Sequence, residues 1–341
     1  MPKPSVRVGV IGLGAIAERA HLPGFAACRG AQLVALSSAR KVARRTFGDR
    51  YAIEQRYEDW RELLTSDSVD AVAICTRNDE HFAMAALALE QGKHVLLEKP
   101  ITTRVAEATR LVALARRARR VLHVHHNLRF QAAALRAHTA LCTAAIGELV
   151  AFEAVLSHRG PRAWAPHAKW FFDARRVGGG VLLDLGVHVF DLLRFLSGEE
   201  VSQLTAQTFG AADASGGKAE HHANCLLVLA NGAKGSVSVS WREASYRNRY
   251  RFLGTRGALE LDLAQASVSL EQAGKRRELT VPSSKRSAQQ AFIAAIQGDA
   301  RGALHAARGE DGAHALRLAL AALASAQTSR STRLRPLSFA R

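Results

Sequence analysis

Five short runs of aliphatic and β-branched residues recur through the first 126 residues: "VRVGVI" (6–11), "AQLVALS" (31–37), "AVAICT" (71–76), "HVLLE" (94–98) and "RVLHVHH" (120–126). Between them lie "AIAERAHLPGFAAC", "ARKVARRTFG", "EHFAMAALALEQG" and "VAEATRLVALARRA", with apolar residues at three- and four-residue spacing. Strands this apolar have no solvent-facing side, so both faces of their sheet must be covered. Helices between successive strands supply the cover. The pattern therefore predicts a parallel sheet with helices on both sides.

The first turn narrows this further. In "VGVIGLGAIA", Gly12, Gly14 and Ala17 stand in a G-x-G-x-x-A pattern, with Ala15 and Ile16 in the same turn. Gly12 permits a tight turn, Gly14 lets a pyrophosphate approach the backbone, and Ala17 allows close helix–strand packing. The helix start adds amide donors and partial positive charge. The basic residues and short apolar run also imitate a secretory leader, but the glycine spacing, the helix that follows and the lack of a cleavage site argue against one. The second run closes as "ALSSARK", with no acid to hold ribose hydroxyls. Ser38 stands in that place, followed by Arg40 and Lys41. A carboxylate there would repel a 2′-phosphate, whereas serine and arginine can bind one, so NADP(H) is favoured over NAD(H). The fourth run ends in Glu98, Lys99 and Pro100. Ligands of such sheets bind beyond the strands' carboxyl ends, which aims Lys99 at the cofactor crevice.

After about residue 127 the texture changes. A helical pattern (130–145) leads into strand-like runs: "GELVAFEAVLSH", "SQLTAQTFG", "NCLLVLANGAKGSVSVSW", "RYRFLGTRGALELDL" and "ASVSLEQ". "ANGAKG" between two β-rich runs is a hairpin signal. "GAADASGGKAE" (210–220) reads as a loop, and helical patterns return at 286–298 and 311–327. This predicts an α+β second domain with a largely antiparallel sheet. The 341 residues suit two domains, 1–126 and 127–341. Inside the second, "GGGVLLDLGVHVFD" (178–191) sets Asp184, His188 and Asp191 in an apolar segment. On a helix, positions four apart share a face, so Asp184 and His188 point the same way, while Asp191 reads as structural.

Composition removes other classes. Hydrophobic residues are 48% and charged residues 23%, as in ordinary soluble proteins. No apolar run approaches the roughly eighteen residues of a membrane span. Four cysteines form no pair motif, which suits a reduced, cytoplasmic protein without disulfides or zinc. The net charge of +17 points either to an anionic partner or to solvated arginine-rich faces; no motif or aromatic interleaving points to nucleic acid. His123, His125 and His126 alternate faces of a strand without an adjacent acid, so no metal is assigned.

Taken together these elements resemble the glucose–fructose oxidoreductase / inositol dehydrogenase / MocA (Gfo/Idh/MocA) family. The resemblance covers nearly the whole chain: "GLGAIA", "CTRNDEHFAMAALALEQGKHVLLEKPIT", "NLRF", "GGGVLLDLGVHVFDLLRFLSG", "NGAKG" and "FLGTRGALEL" occur in order. It implies an α/β protein: an N-terminal Rossmann domain with a doubly wound parallel sheet, then a C-terminal α+β domain with an open sheet for substrate binding and oligomerisation. The E-K-P and D-x-G-x-H elements then imply that Lys99, Asp184 and His188 meet substrate at the nicotinamide. His188 would be the general acid/base, Asp184 its orienter or a substrate ligand, and Lys99 the group on the reacting oxygen. "CTRNDEH" matches a T-P-N-x-x-H segment, making Thr76, Asn78 and His81 candidate cofactor contacts beside Glu98 and Lys99; Arg77 replaces the usual proline. Arg129 in "NLRF" and Trp170 in "AKWFFD" resemble positions lining the substrate cleft. The implied activity is NAD(P)-dependent oxidoreduction of a CH–OH group on a sugar, cyclitol or related polyol, in a homodimer or homotetramer. Two other readings stay open: a glycoside hydrolase with an internal redox cycle, and a non-catalytic dinucleotide-binding sensor.

Overall fold

The computed structural model describes residues 4–163, 169–210, 219–283 and 286–339; residues 211–218 of the expected loop lie outside these. The chain divides into two units. One is Met1–His126 with Arg286–Ala313 and Phe339–Arg341; the other is Asn127–Lys285 with His314–Ser338.

The first unit is built on six strands: β1 (Val6–Ile11), β2 (Ala31–Ser37), β3 (Gln55–Tyr57), β4 (Ala71–Ile74), β5 (His94–Leu97) and β6 (Leu122–Val124). They pair in parallel throughout, in the order β3-β2-β1-β4-β5-β6. That is the doubly wound dinucleotide-binding order, with its switch point between β1 and β4. Every residue of β4 is buried, as expected of a strand covered on both faces. The helices are α1 (Leu22–Ala26), α2 (Lys41–Arg50), α3 (Trp60–Thr65), α4 (His81–Glu90) and α5 (Val105–Ala118). Before α1 the chain makes a π-helical stretch, Ala17–His21. α3 opens on Asp59, whose carboxylate accepts from the Arg61 amide at 2.9 Å.

The second unit holds α6 (Ala132–Cys142), β7 (Leu149–Ser157), α7 (Ala174–Val177), α8 (Val187–Ser197) and strands β8 (Val201–Phe209), β9 (His222–Leu229), β10 (Lys234–Ser240), β11 (Arg247–Gly254), β12 (Gly257–Asp262), β13 (Ser267–Gln272) and β14 (Lys275–Glu278). A two-residue strand, β15 (Thr332–Arg333), completes a nine-stranded sheet in the order β14-β13-β12-β11-β7-β10-β9-β8-β15. All its pairings are antiparallel except β7 with β10. The expected hairpin is present: β9 turns into β10 through Gly232, at φ +89°. α6 and α8 pack on one face of this sheet. On the other face Leu226 is exposed beside Thr205, Ser236 and Val228.

The last third of the chain does not stay in the second unit. A ninth helix, α9 (Ala288–Ile296), belongs to the first, and its Phe292 and Ile293 are part of that unit's apolar core. Phe292 meets Phe25 edge-on with ring centroids 6.4 Å apart. Farther on, Val124 donates to the Ala307 carbonyl and His123 bridges Arg308, which covers the β6 edge of the sheet.

Candidate active site

In the first unit the strand ends converge as the glycine spacing requires. The Gly12 amide donates to the Ser37 carbonyl at 2.9 Å, that of Cys75 to Ile11 at 2.8 Å, and that of Glu98 to Ile74 at 3.0 Å. Gly12 has φ +87°, and a Cβ there would lie 2.7 Å from the Thr76 methyl and 2.8 Å from the Cys75 carbonyl group. Gly14 is the opposite case: a Cβ would meet nothing within 4 Å. The backbone at Gly14 faces open space, a cradle that a side chain would fill, and this fits a bound pyrophosphate. Ala15 and Ile16 lead into the π-helical stretch, and Ala17 is buried.

Beyond β2, the Arg40 amide donates to the Ser38 hydroxyl at 3.2 Å. The Arg40 guanidinium donates to the Leu13 carbonyl of the glycine loop, and Arg44 to the Ser38 carbonyl. Arg44 also pairs with Glu58 at 2.9 Å. Arg44 was not among the sequence candidates; it lies one helical turn after Arg40. Beyond β4, Thr76 is half-buried, whereas Asn78 and His81 are buried. His81 joins two loops: Nδ1 bonds the Pro100 carbonyl at 2.8 Å and Nε2 the Thr76 carbonyl at 3.3 Å. Burial lowers the His81 pKa, and its ring nitrogens serve the backbone. Arg77 pairs with Asp79 at 3.2 Å and Glu80 at 2.6 Å.

At the end of β5 the Glu98 carboxylate is buried. Its Oε1 lies 2.8 Å from His21 Nε2 and 2.7 Å from His125 Nδ1, while Oε2 accepts the Lys99 amide at 3.1 Å. Burial alone would raise the Glu98 pKa; His125 beside it and the hydrogen bonds from His125 and His21 hold it well below the usual carboxylate range. Here the sequence reading needs correcting. No acid adjoins His125 along the chain, yet Glu98 meets it from the neighbouring strand. His21, Glu98 and His125 are the one group of three among the described residues whose ligand atoms could hold a metal ion. Their O···N separations of 2.7 and 2.8 Å are hydrogen-bond lengths. Ligands of a tetrahedral zinc, bonded at 2.0–2.1 Å, sit about 3.3 Å apart.

In the second unit, "GGGVLLDLGVHVFD" is helical from Leu182, first as a π-helical stretch, Leu182–Gly186, then as α8. The glycines start it: a Cβ on Gly180 would fall 2.2 Å from the Glu220 carbonyl oxygen. The Glu220 carboxylate, raised in pKa by burial, accepts the Leu182 amide at 3.0 Å. Asp184 is buried within the π-helical stretch, and Trp241 Nε1 donates to its Oδ2 at 2.9 Å. His188 follows one turn on. Every residue from Val181 to Leu193 is buried except His188. The Trp241 indole stands 5.9 Å from the Phe172 ring and 6.0 Å from that of His221, and Trp170 stacks on Phe171 at 4.0 Å. Arg129 is buried and joined to Asp191 by two bonds, Nε–Oδ2 at 2.7 Å and Nη2–Oδ1 at 2.6 Å. Sequence reasoning missed Trp241, Glu220 and His21, each contributed by a segment remote in the chain from the group it contacts.

Two family profiles match the chain. The profile of an oxidoreductase family with an NAD-binding Rossmann fold matches residues 6–126, and that of the GFO/IDH/MocA C-terminal domain matches 134–260. Myo-inositol 2-dehydrogenase of Thermotoga maritima is 29% identical over 338 residues, 96% of this chain and 98% of its own. The crystal structure of aldose-aldose oxidoreductase from Caulobacter crescentus, complexed with glycerol, superposes with a TM-score of 0.85 at 26% identity, covering 97% of this chain and 100% of that one. A levoglucosan dehydrogenase in complex with NADH and L-sorbose has a TM-score of 0.85 over 98% of this chain and 100% of its own; at 21% identity this is a likeness of fold alone.

Proposed function

Because the chain belongs to the GFO/IDH/MocA oxidoreductase family, and so is an NAD(P)-dependent oxidoreductase of CH–OH groups, we propose that it acts through Lys99, Asp184 and His188 on a secondary alcohol or ketone of a sugar or cyclitol. The observation that carries this is the state of the D-x-G-x-H helix: His188 alone is not buried, one turn after an Asp184 fixed by Trp241. A helix needing only to fill a core has no use for either group.

The nicotinamide, when bound, supplies a hydride acceptor or donor. The glycine turn from Gly12 to Ala17 would hold the pyrophosphate, with Thr76 and Asn78 at the neighbouring strand end. His188 takes the hydroxyl proton in oxidation and returns it in reduction, as an imidazole can. Lys99 donates to the reacting oxygen and stabilises its negative charge. Asp184, oriented by the Trp241 N–H, holds His188 or a substrate hydroxyl. His81 and Glu98 act on the backbone beside the cofactor. Ser38, Arg40 and Arg44 gather donors and positive charge where a 2′-phosphate would lie, which supports NADP(H) over NAD(H). Trp170 contacts substrate. Two or four copies of the chain meet on the open sheet face around Leu226, which sedimentation of the purified protein decides. No described helix is long and apolar enough to cross a membrane, and three of the four thiols are buried and all are free, which suits a reducing cytoplasm.

The test begins with fluorescence titrations by NADPH and NADH, then a screen of sugars, cyclitols and their phosphorylated or carboxylated forms, which the charge of +17 recommends. Tighter NADPH binding is expected. In His188→Ala, turnover should fall about a hundredfold or more with cofactor affinity kept. Wild-type turnover in that variant would remove His188 from the mechanism, and NADH preference would refute the Ser38–Arg40 reading alone.

A further inference from the structure

Lys99 stands between two pinned points of backbone. On its amino side the Glu98 carboxylate accepts the Lys99 amide at 3.1 Å; on its carboxyl side His81 Nδ1 bonds the Pro100 carbonyl at 2.8 Å. The Glu98 carboxylate is itself held by His21 and His125. The side-chain amide nitrogen of Gln289 lies 3.2 Å from His125 Nε2 and 3.4 Å from the Ala20 carbonyl oxygen. All four side chains are buried. They come from four stretches: the π-helical turn after the glycine loop, the end of β5, the end of β6, and α9 of the returning segment.

An ionised carboxylate in a protein interior costs several kcal/mol unless partners compensate it. A pair of apolar side chains would fill the same volume without that cost. The carboxylate has a use only through what it holds, and its second oxygen holds the main chain of Lys99. We propose that His21, His125 and Gln289 are positioning residues for Lys99, acting through the Glu98 carboxylate; this rests on the role given to Lys99 above. The imidazoles fix where Oε1 sits, the carboxyl plane carries that to Oε2, and Oε2 fixes the Lys99 amide. His21 does this as a neutral ring: its Nδ1 has no hydrogen-bond partner among the described residues, which leaves the proton on Nε2 facing Glu98. Gln289 steadies His125 from the side away from Glu98. Displacing a catalytic group by about 1 Å can cost a hundredfold in rate, so the network reads out in turnover rather than in cofactor affinity.

The test compares removal with replacement. His21→Leu and His125→Leu delete the N–H groups facing Glu98. His21→Gln and His125→Asn put a side-chain N–H back near Nε2 and Nδ1. Each is assayed for kcat and KM on the substrate found in the screen, and for NADPH and NADH affinity by fluorescence. The leucine variants should lose roughly tenfold to a hundredfold in kcat, with cofactor Kd within about twofold of wild type. The amide variants should regain most of the loss. Leucine variants with wild-type kcat overturn the inference. So does a parallel loss of kcat and cofactor affinity that the amides do not rescue, since that marks a merely structural cluster. Lys99→Ala runs alongside. If it keeps turnover, the role of Lys99 itself fails; if it loses turnover while His125→Leu does not, only the network's role fails. Should the leucine variants not fold, nitrogen-15 NMR of wild-type protein supplies the decision. Neutral His21 protonated on Nε2 through about pH 6 to 8 is expected, and an imidazolium overturns it, as does a stoichiometric metal ion in the purified protein.

Discussion

Arg129 and Asp191 allow a decisive test of what "NLRF" is for. Two bonds of 2.7 and 2.6 Å join the pair, and the two side chains are 6% and 2% exposed. The guanidinium also lies over the Phe195 ring, 5.1 Å from its centroid. Asp191→Ala removes the charge that compensates the guanidinium without opening a route to water. Removing one partner of such a pair costs about 3–5 kcal/mol, most of it the burden of the charge left behind. Arg129→Met removes the other charge and should cost a similar amount. The double variant Arg129→Met/Asp191→Leu leaves no charge, so its cost should fall well below the sum of the singles. Urea unfolding followed by circular dichroism measures all three. Singles that each cost under about 1 kcal/mol, or a double equal to their sum, would refute this reasoning. In that case a raised substrate KM in Arg129→Met would mark Arg129 as the substrate contact expected from the sequence.

Two further outcomes are expected. Trp241→Phe keeps an aromatic ring beside Phe172 and His221 but deletes the N–H to Asp184. A hydrogen bond to a charged group contributes about 1.5–3 kcal/mol, so kcat should fall roughly tenfold to a hundredfold with cofactor affinity unchanged, and unaltered kcat would free Asp184 of this partner. Glu220 has a pKa raised above its ordinary 4.5 by burial. A raised acid contributes stability below pH 4.5 and loses it as pH rises through the folded-state value. Glu220→Gln should therefore be more stable than wild type at neutral pH, with the gap closing as the pH drops towards 4.5 in thermal melts; a gap that widens in acid contradicts the assignment.

Much of this is legible in the chain itself. Apolar runs forced both sheet faces to be covered, and five of the six strands of the parallel sheet lie in those runs. α5 begins and ends where the "VAEATRLVALARRA" pattern does. β3 was missed because three residues at a sheet edge carry no period, and β14 because "KRRE" is wholly exposed. α3 carries a capping signal of its own, Asp59 followed three residues on by Glu62, an acid cap and an acid in the first turn. Of the expected site residues, Gly12 and Gly14 stand out by spacing and Lys99 by its place at a strand end, while the roles expected of Lys99, Asp184 and His188 come from the family resemblance. Their partners carry no such signal. His21 is 77 residues from Glu98 and Trp241 is 57 from Asp184, so only the folded chain brings them together. The π-helical turns at His21 and Asp184 were equally hidden, since an i→i+5 turn leaves no mark in a short apolar segment.

The return of residues 286–313 to the first unit bears on how the polypeptide is made. A ribosome that has delivered only the first 126 residues has released all six strands of the parallel sheet, but not Phe292, Ile293 or Gln289. Phe25 then lacks its edge-on partner, the β6 rim is uncovered, and His125 faces no amide. The nucleotide-binding half cannot be completed until synthesis is nearly over. A fragment cut at residue 126 thus leaves its apolar core without Phe292 and Ile293, whereas one that splices 286–313 back onto it restores both.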